Sequence, residues 1–194
     1  MSFKSLDPKE IHKMFLASIP KYNIETYYEK PSWTKNVTEF FSNLGKDLGY
    51  EALCKEQFGG YYGEFMGLDL VWIKKVEHFI FIDLAMEFEN TVDEPDDIIN
   101  DEFQKLLSIK SFLKILITYP GEGEDELINK IAWKLRSNML KLNEEKYLII
   151  FGHQGKDKKR MDPWIRFNTY LFDTYGYLIW EDKSGNIPTK ELIY

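Results

Sequence analysis

Residues 79–90 read Phe-Ile-Phe-Ile-Asp-Leu-Ala-Met-Glu-Phe-Glu-Asn, and from Ile82 onward they alternate with a period of two. As a β-strand this places Ile82, Leu84, Met86 and Phe88 on one face and Asp83, Ala85, Glu87 and Glu89 on the other. A helix would scatter both sets around its circumference. Just upstream, Gly67-Leu-Asp-Leu-Val-Trp72 is a second apolar run carrying one acid, Asp69. The polar turn at Lys74-Lys75 is too short for a crossover helix, so the two strands pair antiparallel. Carboxylates set into such strands lose their water, and each then needs a donor, a proton or a cation. A divalent metal satisfies several together.

Helical and extended patterns alternate along the rest of the chain. Residues near 8–18 carry Ile11, Phe15 and Leu16 on one side of a short helix that Pro20 ends. A stronger helix follows Pro31, with Ser32 as N-cap, Trp33, Val37, Phe40, Phe41, Leu44 and Leu48 in helical repeat, and Gly49 as the stop. Residues of about 50–58 read as a strand before the Gly59-Gly60 break. After the acidic stretch Asp93–Asp97, a helix of about 98–111 carries Phe103, Leu106, Leu107 and Lys110. Leu113–Tyr119 reads as a buried strand ended by Pro120-Gly121. A long helix then places Leu127, Ile131, Leu135 and Leu142 on its apolar face. Acids at its start and Lys134, Arg136 and Lys141 toward its end match the macrodipole. Tyr147–Phe151 is another buried strand, and Ile165–Phe172 with Tyr177–Trp180 suggests a closing hairpin.

Strands interspersed with helices indicate an α/β fold whose mixed sheet is flanked by helices. A chain of 194 residues is most simply one domain over 1–194. Its parts are an N-terminal helical addition (1–30), a core motif (33–119) and a C-terminal helix and strand elaboration (122–194).

A net charge of −7 argues against a protein whose main task is to coat nucleic acid. It is compatible with a nuclease, because acids concentrate at a metal centre while Lys156, Lys158, Lys159 and Arg160 can meet phosphates elsewhere. The same basic run, bounded by Gly155 and Pro163, also reads as a solvated loop. One cysteine, Cys54, excludes an internal disulfide and any multi-cysteine zinc site, as expected of a reducing, cytoplasmic setting. The N-terminus lacks the apolar run of a signal peptide, and no stretch approaches the length that spans a bilayer, so no membrane partner is expected.

Helix, three strands, helix and strand, with Asp69 in the second strand and Glu87-Phe-Glu89 in the third, resembles the PD-(D/E)XK, or restriction-endonuclease-like, superfamily over residues 33–119. The resemblance implies a three-layer sandwich with a central mixed sheet. It also implies a Mg²⁺- or Mn²⁺-dependent nuclease that hydrolyses phosphodiesters of DNA or RNA through metal-activated water. Carried over by position, Asp69 matches the family aspartate and Glu87 the first acid, both metal ligands. Glu89 stands where the family has lysine, and a subgroup with Glu-x-Glu uses that second glutamate as a base or ligand. Lys105, in Glu102-Phe-Gln-Lys-Leu106, matches families that place the lysine on the following helix.

Glu64, just before the aspartate strand, is a further candidate ligand, and the Phe88 carbonyl could add another. Glu89 could orient or deprotonate the attacking water. Asp83 shares the acid face but sits farther along the strand. Lys158, Lys159, Arg160 and Arg166, with Trp164 beside them, are the candidates for nucleic-acid contact. A homodimer is compatible with this reading, although no heptad declares an interface.

Against these stand plainer readings. A Glu-x-Glu pair alone is the ordinary pattern of a half-solvated strand. The alternative function is therefore a catalytically inactive nuclease-fold module that binds nucleic acid or a protein partner. His12, His78 and His153 show no metal spacing, Cys54 reads as a packed residue, and the glycine pairs lack the Lys-Ser/Thr ending of a phosphate loop.

Overall fold

The computed structural model describes residues 7–19, 30–54, 66–89, 94–121, 123–156, 163–183 and 187–188. Its helices are α1 (Pro8–Ser18), α2 (Lys30–Asp47), α3 (Pro95–Asn100), α4 (Glu102–Ser108) and α5 (Glu124–Ser137). Its strands are β1 (Glu51–Cys54), β2 (Leu70–Val76), β3 (Phe79–Phe88), β4 (Leu113–Thr118), β5 (Lys146–Lys156), β6 (Pro163–Asp173), β7 (Leu178–Lys183) and the two-residue β8 (Ile187–Pro188). The sheet runs in the order β1-β2-β3-β4-β5-β6-β7, with β8 beside β6.

Connection length dictates the mixture of pairings. Short links make β2 and β3 antiparallel, and likewise β5, β6 and β7, while β1 pairs antiparallel with β2 across a longer connection. The α3–α4 crossover makes β4 parallel to β3, and the α5 crossover makes β5 parallel to β4.

Two apolar clusters cover the two faces. On one, Ile11 and Phe15 of α1 and Trp33, Val37 and Phe41 of α2 meet Trp72, Leu84, Met86, Ile115 and Leu148. On the other, Ile98, Phe103, Leu106, Leu127 and Ile131 from α3, α4 and α5 meet Val71, Ala85, Leu116, Ile149 and Tyr170. The result is a three-layer α/β sandwich around an open mixed sheet, as the strand and helix patterning predicts.

The differences from expectation are local. α2 begins at Lys30, so Ser32 lies inside its first turn instead of capping it. The helix expected over 98–111 is two short helices, broken at Asp101, whose φ of −102° and ψ of −74° depart from the helical pair. α5 stops at Ser137, which leaves Lys141 and Leu142 in the following turn. In β3 the pairing steps from Ile73↔Ile82 to Trp72↔Leu84 and passes over Asp83. That one-residue bulge turns Asp83 away from Glu87. Asp83 lies instead 3.8 Å from Lys74 Nζ and hydrogen-bonds Tyr50, on the α1–α2 side.

Lys114 of β4 is fully buried, 3.0 Å from the Glu145 carboxylate and 3.1 Å from the Tyr147 hydroxyl, which in turn donates to Glu145 at 2.7 Å. Burial pushes the Lys114 pKa down, and Glu145 opposes that shift. Cys54 is buried, as its setting in a strand predicts. No helix among the described residues is long and apolar enough to cross a membrane.

Candidate functional site

Asp69 and Glu87 come together. Asp69 immediately precedes β2, one position beyond the Leu70↔Met86 pair, and its Oδ2 accepts the Phe88 N–H at 2.8 Å. The carboxylate therefore takes over a main-chain bond where the ladder ends. Glu87, next to Phe88, points to the α3–α5 side and is 1% exposed. Its Oε2 lies 3.6 Å from Lys105 Nζ, and its Oε1 is buried without a hydrogen-bond partner.

The Glu87 carboxyl is pushed up to about 10. Burial is the main cause, followed by hydrogen bonding with Glu102 and the charge on Asp69, while Lys105 pulls the other way. The break at Asp101 orients α4 so that Glu102 and Lys105, an ion pair at 2.8 Å, lie over the end of β3.

Lys105 thus lies beside Glu87. Glu102 joins it without having been singled out, although its i, i+3 spacing from Lys105 on a short helix is a legible signal. Glu89, just past β3, is partly exposed, and its N–H donates to the Ile117 carbonyl at 2.9 Å, which places it at the mouth of the site. Glu64, Lys158, Lys159 and Arg160 lie outside the described residues. Among the described residues, no group of three or more acids, histidines or cysteines is arranged to hold a metal ion. A Mg²⁺ ion nonetheless takes only one or two carboxylates from many proteins and completes its shell with water. Two neighbouring carboxylates, one with an unpartnered buried oxygen, fit that demand.

A second polar cluster lies on the same face. Glu124 opens α5 and collects Asn168 Nδ2 at 3.0 Å to each oxygen, the Tyr170 hydroxyl, and His153 Nε2 at 2.6 Å. Burial alone would raise the Glu124 pKa, yet the bonds from His153, Tyr170 and Asn168 outweigh it and hold the carboxyl down at about 2. Arg166 is paired across strands with His153, which brings one expected phosphate contact beside this cluster.

Following the register Glu87↔Leu116↔Ile149, His153 is two strands across and four residues farther along, about 16 Å away by ordinary sheet spacings. The two clusters are therefore separate stations on one edge, at the C-terminal ends of the parallel strands. Between them Thr118 of β4 buries an unpartnered hydroxyl. That edge is where open α/β sheets bind ligands. The recess formed by Asp7, Lys9, Lys146, Leu171 and Ile179 is at the other end and contains none of the candidate acids.

His12, read as an ordinary polar residue, is buried between Asp182 at 2.8 Å and Thr169 at 3.2 Å, where it ties α1 to the sheet. His153 has a partner that nothing in the local pattern of Gly152-His-Gln154 reveals. Comparison of the chain with protein-family models, with curated proteins and with solved structures returns no match.

Proposed function

We propose that this protein is a Mg²⁺- or Mn²⁺-dependent phosphodiesterase of the restriction-endonuclease-like type, acting on DNA or RNA. The observation that carries the reading is the meeting of Asp69 and Glu87 at the end of adjoining strands, with Glu87 Oε1 buried and unpartnered. A buried carboxylate oxygen without a hydrogen-bond partner is costly, and a site that tolerates it is poised for a ligand that removes the cost. Asp69 and Glu87 would hold the cation, with Glu64 and the Phe88 carbonyl as further candidates. The cation would supply Lewis acidity toward a phosphodiester and lower the pKa of a water molecule.

The chain's own residues supply the rest. Glu89, at the mouth, would accept a proton from the attacking water. Lys105, 3.6 Å from Glu87, brings positive charge to the reacting phosphate. Arg166, with Lys158, Lys159 and Arg160, offers backbone contact farther along the same edge.

Incubation with DNA and with RNA in Mg²⁺ or Mn²⁺ tests this. Cleavage is expected, reduced roughly 10²-fold or more in Asp69→Ala and in Glu87→Ala. Cleavage that both variants retain in full would overturn the assignment of these residues. A second reading, a binding module without turnover, is favoured by Glu89 at the lysine position and by the engagement of Asp69 with the Phe88 N–H. It predicts no hydrolysis and nucleic-acid binding that survives loss of either acid.

A further inference from the structure

At the end of the sheet opposite the acids, the β2–β3 hairpin leaves the sheet as a two-stranded arm. β1 pairs with β2 only as far as Ile73, and β4 pairs with β3 only from Leu84 onward. Lys74–Val76 therefore pair with Phe79–Phe81 and, among the described residues, with no third strand, and β3 has no outer partner as far as Asp83. The two outer edges differ. The β2 edge carries Lys74 and Lys75, the kind of charge that blocks strand addition. The β3 edge is Phe-Ile-Phe-Ile from 79 to 82, without an ionisable group. Phe79, Ile80 and Phe81 are 67%, 57% and 44% exposed, and Phe112, just before the start of β4, is 54% exposed. Phe79 and Phe81 lie on one side of the arm with ring centroids 6.4 Å apart.

We propose that the β3 edge of this arm, residues 79–82, is the dimerisation surface of the protein, pairing antiparallel with the same edge of a second copy about a two-fold axis near Phe81. An isolated two-stranded ribbon is marginal in water, and addition of a strand to its unguarded edge satisfies its free main-chain groups. The edge is self-complementary: paired on itself it sets Phe81 against Phe81 and Ile80 against Ile82. The tip of each arm then meets the Phe112 of the other copy.

Two molecules of charge −7 repel, and an uncharged contact strip lets them meet without like charges face to face. With about 200 Å² for a full large side chain, the exposed parts of Phe79, Ile80, Phe81 and Phe112 come to about 450 Å² per copy. A pair then covers about 900 Å² of side chain before main chain is added, near the roughly 1,000 Å² that a specific interface needs. Glu87 and its copy would end about 40 Å apart, at outward ends of the assembly, so the proposal stands independently of the phosphodiesterase reading.

Sedimentation velocity of the intact protein over a concentration series, with Phe81→Lys and Phe81→Cys variants, tests it. A dimer is expected for the wild type. Phe81→Lys should raise its dissociation constant roughly a hundredfold or more while the thermal midpoint of the monomer is kept. Phe81→Cys should form a disulfide-linked dimer under mild oxidation, since paired positions lie within disulfide reach, while the wild type, whose one cysteine is buried, should not. A wild type that sediments as monomer at all concentrations, or a dimer that Phe81→Lys leaves intact, would overturn the proposal.

Discussion

Glu87 is where folding and the proposed chemistry oppose one another. Its pKa in the folded chain, about 10, lies above the 4.5 of a free glutamate. Between those values the folded chain holds a proton that the unfolded chain has released, so stability falls as pH rises from about 4.5 toward 10. The linkage amounts to about 3 kcal/mol at pH 7. Glu87→Gln keeps the shape and removes the ionisation. We expect it to raise the metal-free melting midpoint by about 6–12 °C at pH 7 and to leave it little changed at pH 4. An unchanged or lower midpoint at pH 7 would show that the acid is already well accommodated as a charged group. Glu124 behaves in the opposite sense. Held at about 2, it contributes stability that is present above the unfolded value and lost as pH falls from about 4.5 through 2.

At the scale of elements, the seating of α2 on the sheet depends on Gly45. A Cβ there would come within 2.5 Å of Trp72 Nε1, and Trp72 is fixed by its bond to the Phe41 carbonyl at 3.0 Å and by stacking on Tyr50. Gly45→Ala therefore pushes α2 away from β2, at a cost of about 1–3 kcal/mol that outweighs the helix propensity gained. Urea denaturation should show the loss, and a variant as stable as the wild type would mean that α2 slides at no cost.

The same scale shows what could and could not be read from sequence. The strand at β3, the apolar runs of β4 and β5 and the Leu127–Ile131–Leu135 stripe are each local, and each appears where expected. The bulge at Asp83 is not local in this sense. A period of two continues through it, and only the pairing with Trp72 and Ile73 shows that one residue has been skipped. Nor does any Gly or Pro announce the break at Asp101, which tertiary packing of Ile98 and Phe103 imposes.

Over the whole molecule, the sheet has two unlike ends. Polar groups gather at the C-terminal ends of β3, β4 and β5, and exposed aromatic residues gather on the arm at the other end. The family resemblance pointed to half of the polar end: Asp69 and Lys105 both come beside Glu87, because a strand pair and the next helix are close in sequence as well as in space. The other half, Glu124 with His153, Asn168 and Tyr170, joins residues of three elements and leaves no short-range trace. The central claim is that Asp69 and Glu87 hold a divalent cation, and Mn²⁺ binding followed by electron paramagnetic resonance tests it without reliance on turnover. Saturable Mn²⁺ binding by the wild type, lost in both Asp69→Asn and Glu87→Gln, is the expected result. Binding of equal strength in all three proteins, or none in the wild type, would contradict it.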